Sequence, residues 1–173
     1  MAATPRCTDL SMSSRKITAE RPGFTPGYGI SESVDGLLDW AWAEGRLLSS
    51  RNYWVCTTRG NGRPHAAPVW GVWVDGALLF SSDPKSVKGR NLAGRPDVVV
   101  HLESGDETVI CEGRIESMPA DVLTAFADAY EAKYDLRPDT SNPDHGMYAL
   151  RPRSVLAWRE QDFPNSATRF RFG

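Results

Sequence analysis

The strongest constraint on this fold is a series of short segments rich in aromatic and β-branched residues, separated by turn signals. Asn61-Gly62 and Asp75-Gly76 are dipeptides typical of two-residue hairpin turns. Six or so short antiparallel strands at this spacing predict an all-β core, either a small barrel or a sandwich. The segments, in chain order, are NYWVCTTR, PHAAPVWGVWV, ALLFSS, DVVVHLE, TVICEGRIE and MYALRPRSVLAWRE.

Helices are predicted only at the periphery of this core. Apolar residues recur at helical spacing from Ser33 to Leu48, and a clearer amphipathic helix runs from Pro119 to Tyr134. Residues 1–30 are rich in Ser, Thr, Pro and Gly without a periodic apolar pattern. We interpret them as a flexible N-terminal arm and residues 31–173 as one domain.

Composition limits the classes of function. A net charge of −2 over 173 residues disfavours nucleic-acid binding, which usually shows as a strong basic excess. Cys7, Cys56 and Cys111 are odd in number and have no ligand spacing, which indicates a reduced, cytoplasmic setting. No apolar run approaches the roughly 18 residues of a membrane span. We therefore expect neither a nucleic-acid partner nor a membrane.

A basic loop follows the third predicted strand. Residues 81–95 carry four cations against Asp83, a local charge of +3 that would attract a small anion. If a strand ends near Ser82 and a short helix begins around Ser86, free N–H groups of the first turn can bind phosphate. Lys88 would add a compact charge and Arg90 a forked contact. The alternative is a solvated loop in which Ser86 merely caps a helix.

The aromatic residues and histidines give weaker signals. Aromatic residues of a barrel are usually core, but Trp70 lies between Pro68 and Gly71, where a flat ring could lie against exposed backbone. The three histidines lack metal-ligand spacing, and only His65, near the hairpin, is a candidate proton donor. A phosphate site without an acid–base constellation fits flavin-type chemistry, in which the cofactor performs the difficult step. It also fits a simple binding module.

These segments, together with SVKGRNL, AYEAKY and the closing ATRFRF, resemble the pyridoxamine 5'-phosphate oxidase-like split-barrel superfamily. The similarity is greatest to its flavin/deazaflavin oxidoreductases of the B group. The resemblance implies a mainly β fold: a six-stranded antiparallel split β-barrel of Greek-key type that forms a homodimer, with cofactor in grooves between the subunits. It also implies a set of cofactor-binding positions: Ser86, Lys88, Arg90 and Asn91 at the phosphate, Ser81 and Ser82 lining the pocket, and the backbone of Pro68, Val69 and Trp70 facing the ring.

The C-terminal segment VLAWREQDFPNSATRFRFG does not reproduce the pyridoxal-phosphate signature of the oxidases proper, so vitamin B6 oxidation is disfavoured. Trp158 and Arg169 remain candidates for approaching the groove. Lys85, Lys88, Arg90 and Arg95 could form a basic path that suits the acidic tail of coenzyme F420. The chain also has 16 arginines against 4 lysines, a bias typical of high-GC genomes, which are common among actinobacteria, and actinobacteria make that deazaflavin. We therefore expect an F420-dependent oxidoreductase that passes a hydride to a conjugated small-molecule acceptor. An FMN enzyme and a non-catalytic cofactor carrier are the alternatives.

Overall fold

A closed antiparallel barrel forms the body of the protein. The computed structural model describes residues 15–173, and residues 1–14 lie outside the described part. The sheet order is β1-β8-β7-β4-β3-β2-β5-β6, and an additional β6–β7 pairing closes β2 to β7 into a ring of six. The predicted six-stranded antiparallel barrel is confirmed. The strands are β1 (Ile17–Glu20), β2 (Asn52–Thr58), β3 (Pro64–Val74), β4 (Ala77–Ser82), β5 (Asp97–His101), β6 (Glu107–Ser117), β7 (Gly146–Arg159) and β8 (Thr168–Phe172).

Alternation of side chains along the strands builds the barrel interior. In β2 every second residue is buried, so Tyr53 and Val55 point inward while Trp54 and Cys56 point outward. The interior is apolar, and its largest fully buried side chains include Tyr53, Phe80 and Phe170. Strands β6 and β7 shift register between Glu112 and Gly113, a bulge that bends the barrel wall.

Four α-helices lie outside the barrel within residues 15–173: α1 (Trp40–Ser49), α2 (Val87–Gly94), α3 (Leu123–Tyr134) and the single turn α4 (Phe163–Ser166). The first helix begins later than the apolar spacing predicts, because Gly36 has a φ of +83° and the Leu38 N–H donates to the Thr168 hydroxyl at 2.8 Å. Before α3, residues 120–122 form a 3-10 turn. None of the helices within the described residues is long and apolar enough to cross a membrane.

Strand β1 lies inside the segment that we interpreted as an arm, and the sequence pattern did not predict it. It pairs with β8 from Ile17–Phe172 to Glu20–Arg169, and the next residue, Arg21, donates to the backbone carbonyls of Ser33, Asp35 and Ala167 at 2.6–2.9 Å. These bonds fasten residues 17–35 to the C-terminal strand. The boundary after residue 30 stays a prediction.

Helix α3 covers one outer wall of the barrel. Phe126 and Tyr130 pack there on Val72 and Leu79, which point outward from β3 and β4 and form a second apolar cluster. The C-terminal end of α3 therefore lies at the middle of β3. That position brings its last residues to the candidate site.

Candidate functional site

The candidate site lies where β3 and β4 separate. Their ladder ends at the Gly71–Phe80 pair, whereas β3 stays paired with β2 as far as Pro64 and β4 stays paired with β7 as far as Ser82. Residues 64–70 of β3 thus form an edge on the β4 side, as Pro64 and Pro68 predict. Ser81 and Ser82 border the same opening from β4.

Gly71 marks the point of separation. A Cβ at this position would lie 2.9 Å from the Leu79 carbonyl oxygen and 3.0 Å from Leu78 Cδ1. Gly71 therefore has no side chain because strand β4 passes close to its backbone at this point. A larger residue would force the two strands apart one residue earlier.

The loop after β4 turns directly into α2, and Ser86 is the N-cap of that helix. Its hydroxyl accepts the Gly89 N–H at 3.0 Å and lies 3.5 Å from the Ser82 hydroxyl. Asp83 shapes the turn, since its carboxylate accepts the Lys85 N–H at 2.7 Å. Ser82 and Ser86 are thus brought together at the positive end of the helix, as the basic-loop hypothesis requires.

Gly89 allows α2 to pack against this loop. A Cβ there would lie 2.5 Å from the Pro84 carbonyl oxygen and 2.6 Å from that of Asp83. The glycine in SVKGRN therefore has a steric cause. It keeps Ser82, Asp83 and Ser86 close to the first turn of α2.

Lys88, in that first turn, is half-buried and has no hydrogen-bond or ion-pair partner among the described residues. Burial lowers the pKa of its ammonium group from the ordinary value. A half-buried cation without a counter-ion is unfavourable in isolation and favourable beside an anion. Lys88 and the hydroxyls of Ser82 and Ser86 are donors of the kind that a phosphate group binds, and all three residues belong to the turn from β4 into α2.

Arg90 and Asn91 have other contacts. The exposed guanidinium of Arg90 donates to the Lys85 carbonyl and so braces the loop. The side chain of Asn91 is buried and donates to the Thr57 hydroxyl at 2.9 Å, which joins α2 to β2 inside the barrel mouth. That hydroxyl also lies 3.3 Å from His65 Nδ1. The structure therefore shows both predicted residues supporting the loop, and their contact with a cofactor stays a prediction.

The three predicted ring-facing residues alternate along the free edge of β3. Pro68 and Trp70 are exposed, while the side chain of Val69 is buried in the barrel core, so only its backbone can line the opening. Trp73, also on β3, is core, and its indole N–H donates to Glu44 at 3.1 Å. Trp158 packs edge-on against Phe163, and Arg169 pairs with Glu20 in the β8–β1 ladder.

Two residues of α3 that the sequence analysis did not assign to the site bind β3 beside Trp70. Tyr134 stacks on the Trp70 ring with centroids 4.7 Å apart, and its hydroxyl accepts the Gly71 N–H at 3.0 Å. Lys133 donates to the Gly71 carbonyl at 2.8 Å and to the Tyr53 hydroxyl at 3.1 Å. The sequence signals were the apolar stripe of α3, which ends at Tyr134, and the segment AYEAKY of the family resemblance, but neither indicates the partner of Lys133 or Tyr134.

The outward face of β3, β2 and β5 continues from the site and is largely apolar. Trp54 lies opposite Pro68 and His101, and Cys56 lies opposite Ala66 and Val99. The Trp54 and His101 rings are parallel, with centroids 6.3 Å apart. A groove of about 520 Å³ runs over this face past Cys56, Val99 and Glu112.

Comparison with known families now identifies the relationship. The family model described as Pyridoxamine 5'-phosphate oxidase matches residues 43–159, well over half of the chain. The chain belongs to the pyridoxamine 5'-phosphate oxidase family. The matched residues of this pyridoxamine 5'-phosphate oxidase family member contain β2 to β7, and with them both sides of the candidate site. No curated protein sequence matches the chain.

Solved structures share the fold of this family at low identity. A structure named F420 reductase is 24% identical with a TM-score of 0.52, and the match covers 63% of this chain and 92% of that one. A conserved hypothetical protein from Mycobacterium tuberculosis is 22% identical with a TM-score of 0.63, covering 75% and 89%. A pyridoxamine 5'-phosphate oxidase-related, FMN-binding protein from Nostoc punctiforme is 17% identical with a TM-score of 0.52, covering 75% and 83%. At these identities the similarity shows the fold.

Proposed function

We propose that this protein is an oxidoreductase that binds the deazaflavin coenzyme F420 in a groove between two subunits and reduces a conjugated small-molecule acceptor. When bound, the deazaflavin would supply the hydride. The chain itself binds and orients the cofactor, since the candidate site holds no acid–base pair among residues 15–173. His65 lies on its free edge of β3, with Nδ1 3.3 Å from the Thr57 hydroxyl. The single observation that carries this proposal is the half-buried Lys88 ammonium, which has no partner among residues 15–173 and belongs to the same helix start as the Ser82 and Ser86 hydroxyls, 3.5 Å apart.

The cofactor's phosphate would bind at this corner. Ser82 and Ser86 donate hydroxyl protons, Lys88 contributes its charge, and the first turn of α2 contributes backbone N–H groups. The cofactor ring would then extend along the open edge of β3, past Pro68 and Trp70. The solved structures that share this fold include one named F420 reductase and one described as FMN-binding. This supports a flavin-type cofactor.

The deazaflavin is favoured over FMN by the charge around the corner. Lys85, Arg90 and Arg95 are exposed cations close to Lys88 along the loop and helix, whereas the anionic part of FMN ends at its phosphate. An acidic tail that runs to solvent would use these additional cations. FMN is the second candidate. If FMN is the cofactor, removing the additional cations should have no effect on its affinity.

A homodimer is part of the proposal. The outward face of β3, β2 and β5 presents exposed Ala66 and Pro68 and partly exposed Trp54 and Val99. Its exposed carboxylate, Asp97, lies at the start of β5 and pairs with Arg114 and Arg153. Such a face on the outside of a barrel is typical of an interface. A second copy seated there would form the other wall of the cofactor groove. We place the homodimer in the cytoplasm because its scattered cysteines suit a reducing compartment.

A fluorescence titration with F420 and FMN in parallel tests the proposal on Lys88→Ala. Loss of a charge-assisted phosphate contact should weaken binding by about 1.5–3 kcal/mol, roughly ten- to a hundredfold. Lys85→Ala is the matched control, because Lys85 is exposed and its ion pair with Asp144 spans 3.4 Å at the surface. It should weaken F420 by less than about threefold and leave FMN unchanged. Unchanged affinity in Lys88→Ala would overturn the proposed site.

Turnover separates an enzyme from a cofactor carrier. Stopped-flow oxidation of the reduced cofactor against a panel of quinones and enones should show acceptor-dependent decay. Tight cofactor binding with no decay against any acceptor would favour the carrier. Stoichiometric FMN after purification from a host that lacks the deazaflavin would favour the FMN enzyme.

A further inference from the structure

Trp70 is an exposed aromatic residue held in a fixed orientation. Its side chain is 41% exposed although it lies on a strand at the centre of the fold. The Tyr134 ring covers one face in a parallel stack, with planes 2° apart. An indole that is both exposed and prevented from rotating is pre-organised for contact with a planar ligand.

The hydroxyl of Tyr134 fastens this arrangement to two backbone segments. It accepts the Gly71 N–H, and its oxygen lies 2.6 Å from the Arg51 carbonyl and 2.8 Å from the Gly71 carbonyl, of which the shorter contact takes its single proton. Tyr134 thus stacks on Trp70 and forms a hydrogen bond with Gly71, the next residue on β3. A second hydrogen bond joins it to Arg51, the residue before β2. Tyr134 is a positioning residue for whatever binds at Trp70.

Arg51 supplies a cation beside the stacked rings. Its guanidinium carbon lies 5.5 Å from the Trp70 centroid and 6.0 Å from that of Tyr134. The side chain is exposed and has no carboxylate partner within residues 15–173. Because guanidinium groups pair in a planar, forked manner with carboxylates, a free one beside an aromatic surface favours an anionic ring compound over a neutral one.

We propose that Trp70, Tyr134 and Arg51 form an acceptor subsite that takes a planar conjugated ring bearing a carboxylate. The ring would stack on the exposed part of the indole while the carboxylate pairs with Arg51. That the bound compound is the electron acceptor rests on the proposed function. The subsite itself does not, since Arg51 and Tyr134 are outside the proposed cofactor site, and the cofactor ring would face only the backbone of Trp70.

Three probes test the two features separately. 2-Naphthoate has the planar ring and the carboxylate, 2-naphthamide has the ring alone, and cyclohexanecarboxylate has the carboxylate alone. Titrations by isothermal calorimetry on the full chain should rank naphthoate first, with roughly three- to tenfold weaker binding of the amide and no saturation with cyclohexanecarboxylate. Equal affinity for naphthoate and naphthamide would overturn the anionic preference.

Variants assign the contacts. Arg51→Gln, a substitution at an exposed residue, should lower the affinity for naphthoate to that for naphthamide. The affinity for naphthamide should not change. Trp70→Leu should abolish saturation with both aromatic probes.

Tyr134→Phe tests the positioning role. It keeps the stacked ring but loses the hydrogen bonds to Arg51 and Gly71, so the affinities for both aromatic probes should fall by a similar factor and their ratio should not change. Tyr130→Phe is the matched control, because no hydrogen bond of the Tyr130 hydroxyl occurs among the described residues. An effect of Tyr130→Phe equal to that of Tyr134→Phe, or a naphthoate preference retained in Arg51→Gln, would overturn the proposal.

Cofactor titrations on the same variants distinguish this failure from failure of the proposed function. Arg51→Gln should leave F420 and FMN affinity within about twofold of wild type, and Lys88→Ala should leave naphthoate affinity unchanged. Naphthoate selectivity without cofactor binding would keep the subsite and overturn the oxidoreductase. Cofactor binding without naphthoate selectivity would do the reverse.

Discussion

Two lysines show how the surroundings of a single residue indicate its role. Burial lowers the pKa of both Lys88 and Lys133, and neither has a carboxylate partner among the described residues. Lys133 is satisfied by neutral acceptors, the Gly71 carbonyl and the Tyr53 hydroxyl, and by the Tyr53 ring 4.7 Å away. Lys88 has no such acceptors among residues 15–173. One cation is therefore structural, and we propose the other as the partner of a cofactor anion.

The pH dependence of stability tests the structural role of Lys133. Its folded pKa is about 8, below the ordinary 10.5, so between these values the unfolded chain binds more protons than the folded one. The free energy of unfolding of wild type should therefore rise relative to that of Lys133→Met as the pH increases from about 8 to about 9.5. Urea unfolding at matched pH values measures the difference. Burial raises the pKa of Tyr53 above its ordinary value of 10.0, so the unfolded chain loses this proton first as the pH approaches 10; wild type and Lys133→Met share that contribution, and it cancels in the difference. A flat or falling difference would contradict the prediction.

At the scale of elements, the site depends on how α2 joins β4. The cap at Ser86, the turn at Asp83 and the missing side chain at Gly89 are local, so the motif SVKGRN already contains them. What holds α2 against the barrel is not local, because Asn91 reaches Thr57 on β2. The helix therefore combines a turn that the sequence specifies with an attachment that only the fold supplies.

Two glycines of α2 form a matched test of this junction. Gly89→Ala places a Cβ within 2.6 Å of two loop carbonyls, so we expect a loss of about 1–3 kcal/mol in unfolding free energy and a marked loss of cofactor affinity. Gly94→Ala meets nothing within 4 Å and should be neutral or stabilising by up to about 1 kcal/mol. Denaturant unfolding and the cofactor titration measure both. Equal behaviour of the two variants would refute the steric role of Gly89.

At the scale of the whole molecule, closure of the barrel decides which face remains for a partner. The β6–β7 pairing closes the ring, β8 and β1 extend the sheet beyond β7, and α3 covers the wall formed by Val72, Leu79 and Ala149. The outward face of β3, β2 and β5 keeps exposed apolar side chains such as Ala66 and Pro68. The proposed dimer therefore uses the wall that, within residues 15–173, neither a helix nor a further strand covers.

A charge on that face tests the dimer. Ala66→Glu lies opposite Cys56 on the outward face, so burying its carboxylate at an interface would be costly. Sedimentation velocity should show a dimer for wild type and a monomer for Ala66→Glu, with unchanged far-UV circular dichroism. Ala132→Glu, on the exposed surface of α3, should remain dimeric. A monomeric wild type, or a dimeric Ala66→Glu, would contradict the interface.

The sequence by itself determined the strands of the barrel, the free edge at Pro64 and Pro68, and the basic turn at Ser86 and Lys88. Each depends on neighbouring residues: alternation along the strands, the missing N–H donor of proline, and a cap whose hydroxyl accepts the N–H three residues further on. Only the tertiary structure decided that β1 pairs with β8, that Asn91 turns inward, and that Tyr134 holds Gly71 from 63 residues away. Those contacts form because closing the barrel brings distant segments together, and no local pattern of side chains records which segments will meet.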